Sequence, residues 1–542
     1  MREFSVLPLG PFDKTYSYHF EENLKIGDIV EVPFGKRNVI GVVSDEEAAV
    51  DRKLKTISKV FDFSIGEANY AFLKWVSDYN MIPKGNVLKM MLSEKFISGP
   101  PPETLPEITH SFLKIALNPN QEMAYRKIID HGAKPFLLNG VTGSGKTEIY
   151  LAVIENILRQ KKQSLVLFPE IALTQQIMHR IEKYFGFYPI VWNSHITPKN
   201  KRAAWLKAIS GEPCIIIGAR SALFIPFKNL GVIVVDEEHD SSYKQEDGGF
   251  YNARDMAIVR GHIQKIPVIL SSATPSLESY VNAEEGKYGY AFVENRFGSS
   301  KIPMIDLIDM RQNKFKGFIS PVLLKEIKST LARGEQCLIY LNRRGYSPII
   351  LCKSCGEKLA CPNCSAWLVY HKNTDNLICH HCDYKMVIPD TCGHCDGKES
   401  YVPFGPGVER ICEELCEKLP FARIEVASSD TISSDKNMKT LFDKIIDNKV
   451  DIIVGTQILA KGHHFPNITL VGIVDGDLGL GGADLRASEK TYQLINQVSG
   501  RAGRAEKQGK ILIQTFSPEH SLYSTLKSDN SNDFMALEME TR

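Results

Sequence analysis

The stretch NGVTGSGKTEIY, residues 139–150, sets Gly140, Val141, Thr142, Gly143, Ser144, Gly145, Lys146 and Thr147 between an apolar run, PFLL, and a helix-forming segment, EIYLAVIENIL. The spacing G-x-x-x-x-G-K-[ST], after a strand and before a helix, is that of a phosphate-binding loop. Its glycines let backbone N–H groups turn toward phosphate oxygens, and the helix N-terminus adds partial positive charge. Lys146 is expected to reach the β- and γ-phosphates of ATP, and the Thr147 hydroxyl to ligate Mg²⁺. Hydrolysis needs a second group. The run GVIVVDEEHD supplies Asp236 at the tip of an apolar strand to hold the metal, and Glu237 beside it to orient or deprotonate water.

Eight of the twelve cysteines form four C-x-x-C pairs: Cys352/Cys355, Cys361/Cys364, Cys379/Cys382 and Cys392/Cys395. In a reducing compartment such knuckles ligate metal, and two knuckles close one tetrahedral four-thiolate Zn²⁺ site. Fourteen residues separate the inner pairs, a good length for a ribbon hairpin, whereas five residues between the first two pairs are cramped. Nested pairing therefore leads over sequential pairing: one zinc on Cys361, Cys364, Cys379 and Cys382, the other on Cys352, Cys355, Cys392 and Cys395. Closed four-thiolate sites are structural. Cys214 and Cys337, on apolar strands, and Cys412 and Cys416, spaced i,i+4 on a helix, are expected in the core.

Two further groups could touch a polyanion. In SSYKQEDGGFYNARD, Tyr243, Phe250 and Tyr251 interleave with Lys244 and Arg254. Exposed aromatics stack on nucleic-acid bases and cations meet phosphates; the competing reading is that the same rings pack beneath the loop. Arg220 and Lys461 are further phosphate contacts by this reasoning. In QVSGRAGR, residues 497–504, Arg501 and Arg504 would share one helix face and act as arginine fingers on a nucleotide held across a cleft.

These residues need a scaffold. Short Val- and Ile-rich runs alternate with helical segments from about residue 118, and again after about 320, which predicts two tandem α/β lobes built on parallel sheets. The expected organisation is a β-rich N-terminal DNA-binding module, 1–95; a Pro-rich linker, 96–117; lobe one, 118–320; lobe two, 321–351 and 396–520; a zinc insertion, 352–395; and a polar tail, 521–542. Net charge is +1, so polyanion binding must come from local clusters. No stretch approaches the roughly 18 apolar residues of a membrane span, so a cytoplasmic protein is expected.

Taken in order, GSGKT, DEEH, SSATPS, GTQILAKG and QVSGRAGR resemble superfamily 2 helicases. LFPEIALT, GARSALFIPF, the extended DEEH segment, the eight cysteines, EVPFGKR and SDYNMIPKGNVL narrow the resemblance to the primosomal replication-restart helicases. That resemblance implies RecA-like lobes and an ATP-dependent 3′–5′ DNA helicase. It also implies recognition of single-stranded and forked DNA at stalled forks and initiation of primosome assembly with restart proteins; a monomer is expected. Gln121, in LNPNQ, resembles the family's adenine-reading glutamine, and the nested zinc pairing agrees with the family. Three departures stand out. Only a short linker occupies the place of a winged-helix domain, the family's domain after lobe two is not expected here, and TYSY carries Ser17 where relatives often have an acidic residue tied to 3′-end reading. Against an active helicase stand a translocase that does not separate strands and a zinc-bearing loading scaffold.

Overall fold

Seven short apolar strands form a parallel sheet in the order Gly289–Val293, Pro135–Gly140, Val268–Ser272, Leu230–Asp236, Gln163–Leu167, Ile215–Gly218, Ile190–Trp192. Their near-continuous Val, Ile and Leu content suits a sheet buried on both faces. Register brings the chemistry to one edge: Asp236 lies opposite Ser271, and Ser272 opposite Asn139, at the carboxyl ends of three neighbouring strands. That is where open α/β sheets place ligands.

The computed structural model describes residues 2–47, 54–99, 115–169, 174–194, 196–246, 249–294, 303–312, 317–341, 349–364, 368–371, 376–379, 382–404, 408–427, 435–455, 465, 467–477, 480, 484–500, 508–527 and 531–542. The chain divides into two compact units, Met1–Gly140 with Ser144–Asn295, and Val141–Gly143 with Arg296–Arg542. Among the described residues no helix is long and apolar enough to cross a membrane.

In the first unit, a six-stranded sheet precedes helices Glu67–Asn80 and Lys84–Met91. Strands Asp28–Phe34 and Arg37–Ser44 pair through Phe34 and Arg37, leaving Gly35 and Lys36 as the turn; Gly35 takes the left-handed conformation such a turn requires, at φ +62°. The expected boundary at 95 falls inside a helix, and residues 100–114 of the expected linker lie outside the described residues. Helix Glu94–Ser98 continues past 95, and Arg202 Nε donates to Phe96 O at 3.0 Å. Apolar residues of both parts form one core, in which Trp205 Nε1 donates to Met91 O at 2.9 Å.

Fully buried Arg260 pins the junction. Its Nη2 donates to Asn69 Oδ1 at 2.7 Å and Ile225 O at 2.9 Å, its Nη1 bonds Leu223 O, and its guanidinium lies over Phe72 and Phe227. Burial pushes its pKa down to about 9. No local sequence signal marked this arginine.

The second unit carries a six-stranded parallel sheet, Met304–Asp309, Lys510–Thr515, Ile468–Ile473, Gln336–Tyr340, Ile452–Gly455, Ile424–Ala427. The expected lobe boundary at 320 is therefore too late, because Met304–Asp309 is hydrogen-bonded to Lys510–Thr515. The insertion is wider than 352–395: its antiparallel sheet is closed by Ile349–Cys352 pairing with Tyr401–Phe404. The expected polar tail is helical. Helices Ser521–Lys527 and Ser531–Thr541 follow the sheet, Phe534 stacks on Tyr492 with centroids 3.9 Å apart, and Arg542 Nη2 reaches Glu489 at 2.8 Å.

Candidate functional site

Helix Lys146–Arg159 starts at Gly145, whose φ of +83° and lack of a side-chain cap leave the first-turn N–H groups to a ligand. Gly143 is also left-handed, at φ +82°. Lys146 Nζ donates to Gly140 O at 2.7 Å. Buried Tyr150 donates to Asp236 Oδ2 at 3.0 Å, and Thr147, the other expected metal-holding group, precedes it by one turn of the same helix. Sequence reasoning missed Tyr150, although its i+3 spacing from Thr147 puts both on one helix face.

Burial, and then the charge of Glu237, push the Asp236 carboxyl up to about 6, with Lys146 working the other way. A cation at this carboxylate would reverse that shift. Glu237 stands at φ +48°, an uncommon conformation for a residue with a side chain and one that concentrates at functional sites. Its N–H donates to Asp236 Oδ1 at 3.0 Å. Among the described residues, buried Glu237 Oε2 and Ser144 Oγ have no hydrogen-bond partner. Such atoms, beside a glycine cradle, a lysine and a carboxylate, fit a Mg²⁺-bound triphosphate and its attacking water.

The other half of DEEH serves the SSATPS segment. Glu238, fully buried, accepts Ser276 N–H at 2.6 Å, Ser279 Oγ–H at 2.9 Å and the Arg254 guanidinium at 3.2 Å. His239 Nδ1 lies 2.7 Å from Ser272 Oγ, which accepts the Thr274 N–H at 3.0 Å.

That network corrects three expected DNA contacts. Arg254 is spent on Glu238, Asp255 and Ser276. Tyr243 is buried, with its hydroxyl 2.6 Å from Asp236 O and 2.9 Å from Leu167 O. Tyr251 is buried edge-on against Phe224. Packing beneath the loop is the better account of these side chains. Arg220, half-buried, donates to Lys244 O at 2.6 Å and so braces the same loop. Lys244 and Phe250 are exposed, Phe250 at 68%. Lys461, Arg501 and Arg504 lie outside the described residues.

The eight cysteines gather as two nested sets, Cys352, Cys355, Cys392, Cys395 and Cys361, Cys364, Cys379, Cys382. Sulfur separations are 3.6 Å for Cys352–Cys395, 3.7 Å for Cys355–Cys392, and 3.5 Å for both Cys361–Cys382 and Cys364–Cys379. A tetrahedron with Zn–S bonds of about 2.3 Å has edges of about 3.8 Å, so both sets fit zinc. Ser400 Oγ sits 3.2 Å from Cys352 Sγ, and its hydroxyl donates to Gly397 O at 2.8 Å, which braces the knuckle. The outer set is fastened to the second sheet: Lys358 Nζ donates to Asp477 O at 3.1 Å, and a Cβ on Gly356 would come within 2.8 Å of Phe516. Elemental analysis is expected to find two zinc ions per chain, falling to one in Cys395→Ser. Cys214 and Cys337 are buried as expected, but Cys412 is half-buried and Cys416 exposed because their helix turns that face outward.

The parallel sheet with phosphate loop and acidic box defines a nucleotide-binding α/β lobe, and the family matches make it a helicase: residues 118–282 match the DEAD/DEAH box helicase family, and residues 395–506 the helicase conserved C-terminal domain. Residues 5–93 match the 3′ DNA-binding domain of PriA, and residues 361–386 the PriA DNA helicase Cys-rich region. The chain is 43% identical to replication restart protein PriA of Rickettsia conorii (strain ATCC VR-613 / Malish 7), over 99% of this chain and 83% of that protein. It is also 43% identical to replication restart protein PriA of Bacillus subtilis (strain 168), over 76% of this chain and 51% of that protein. The chain belongs to the PriA family of replication restart proteins and is an ATP-dependent DNA helicase.

Proposed function

We propose that this chain recognises stalled replication forks, unwinds DNA in the 3′–5′ sense with ATP, and initiates primosome assembly there. The observation that carries the reading is the sheet edge at which Tyr150 donates to Asp236, with Thr147 one helix turn before Tyr150 and Lys146 and Glu237 beside them. Lys146 binds the outer phosphates, Thr147 and Asp236 hold Mg²⁺, and Glu237 takes a proton from water or orients it. Arg501 and Arg504 act as the arginine fingers. ATP bound with Mg²⁺ supplies the phosphoryl transfer; the protein supplies position and charge.

Phe250 offers a stacking face for a base, with Lys244 next to a phosphate. Tyr243 joins this segment to Asp236 through its backbone carbonyl, so nucleic acid on the loop bears on the metal-holding strand. The chain works as a monomer in the cytoplasm, with single-stranded and forked DNA and restart proteins as partners.

Strand displacement on a fork with ATP tests the reading. Displaced strand supports a helicase; ATP turnover on DNA without displacement would make it a translocase, and DNA binding without turnover a scaffold. In the same assay Phe250→Ala is expected to raise the DNA concentration for half-maximal turnover about tenfold, within the 1–3 kcal/mol of one base stack.

A further inference from the structure

Exposed Phe250 sits on a small hairpin in which Lys244–Gln245 pairs with Tyr251–Asn252. Neighbours hold that hairpin at both ends. At its base Arg220 Nη1 donates to Lys244 O at 2.6 Å, and the Tyr251 ring meets Phe224 edge-on with centroids 5.1 Å apart. At its tip a Cβ on Gly249 would come within 3.2 Å of Ile82 and 3.4 Å of Met90, both in the N-terminal module. Arg220 and Phe224 are the first and last residues of one short turn, Arg220–Phe224. Whatever sets that turn therefore sets the base of the hairpin.

Arg260 sets the turn. Its Nη1 bonds Leu223 O, and its Nη2 donates to Ile225 O at 2.9 Å and to Asn69 Oδ1 of the module at 2.7 Å. Phe72, beneath the guanidinium, stacks on Phe224 with centroids 5.9 Å apart. All three acceptors are neutral, and buried Nε has no hydrogen-bond partner among the described residues. Burying a cation without a counter-charge opposes folding, and an apolar side chain would fill the same space with less desolvation. What an apolar side chain lacks is the planar fork that fixes several oxygens at once. We propose that Arg260 is a positioning residue for DNA engagement: it holds the turn, and through it the hairpin bearing Lys244 and Phe250, in one setting against the N-terminal module. This rests on the reading of Phe250 as a stacking face.

DNA-dependent ATP turnover of the zinc-loaded full chain is measured well below its melting temperature. The variants are Phe250→Ala, Arg260→Met, Arg260→Lys and Arg260→Met combined with Phe250→Ala. Arg260→Met is expected to raise the DNA concentration for half-maximal turnover about tenfold, as Phe250→Ala does, with DNA-free turnover and turnover at saturating DNA unchanged. Because it acts through Phe250, the combined variant should also stand at about tenfold rather than the roughly hundredfold of independent effects. Arg260→Lys, which keeps the charge and reaches one carbonyl, should lose only about threefold. If Arg260→Met does not fold, Arg260→Lys carries the same comparison, with no further loss when it is added to Phe250→Ala. Unchanged half-saturation in a folded Arg260 variant, or factors that multiply in the combined one, would overturn the proposal and leave Arg260 a packing residue. Wild-type half-saturation in Phe250→Ala would instead remove the stacking reading, and the positioning role with it.

Discussion

Lys146→Ala is expected to cut DNA-stimulated ATP turnover by a hundredfold or more while leaving affinity for single-stranded DNA largely intact. The ammonium group is parked on Gly140 O at 2.7 Å, beside the cradle where the outer phosphates bind. A preorganised donor aimed at developing charge contributes on the order of 3–4 kcal/mol to such a reaction, far more than the same contact in water. Half-buried Lys146 is no part of the core, so the melting temperature should change little. Steady-state turnover and a fluorescence binding titration check both halves. Wild-type turnover by the variant would remove the phosphate-loop assignment.

Arg254→Ala is expected to destabilise the first unit by about 3–5 kcal/mol, because it leaves a buried carboxylate without its counter-charge. Glu238 has no exposure, and its remaining partners, Ser276 and Ser279, are neutral donors. Urea unfolding followed by circular dichroism reads the loss. Pairing Arg254→Met with Glu238→Leu should recover much of it, since the charge and its partner leave together. Unchanged stability with a large fall in DNA affinity would return Arg254 to the surface role that its sequence context suggested.

Features carried by a few adjacent residues were legible in the sequence. The phosphate loop, the acidic box and the C-x-x-C knuckles each hold their chemistry within one turn, and the hairpin-length gap from Cys364 to Cys379 was enough to nest the zinc sites. Features decided by distant partners were not. Tyr243 and Phe250 look alike as aromatics in one polar loop, yet one is tied to Asp236 O and Leu167 O while the other faces solvent. Met304–Asp309 reads equally well as the end of one lobe or the start of the next, and only pairing with Lys510–Thr515 decides. The tail reads as polar because its apolar residues are few and scattered, yet Leu522, Tyr523, Leu526, Phe534 and Met535 are all buried, and Phe534 finds its partner, Tyr492, in an earlier helix.

The most direct test of a DNA-driven ATPase on this sheet edge is turnover by the zinc-loaded chain, with Mg²⁺ and saturating ATP, as forked DNA is titrated in. A saturable rise well above the DNA-free rate is predicted. A rate that stays flat across the titration, while fluorescence shows the fork bound, would contradict it.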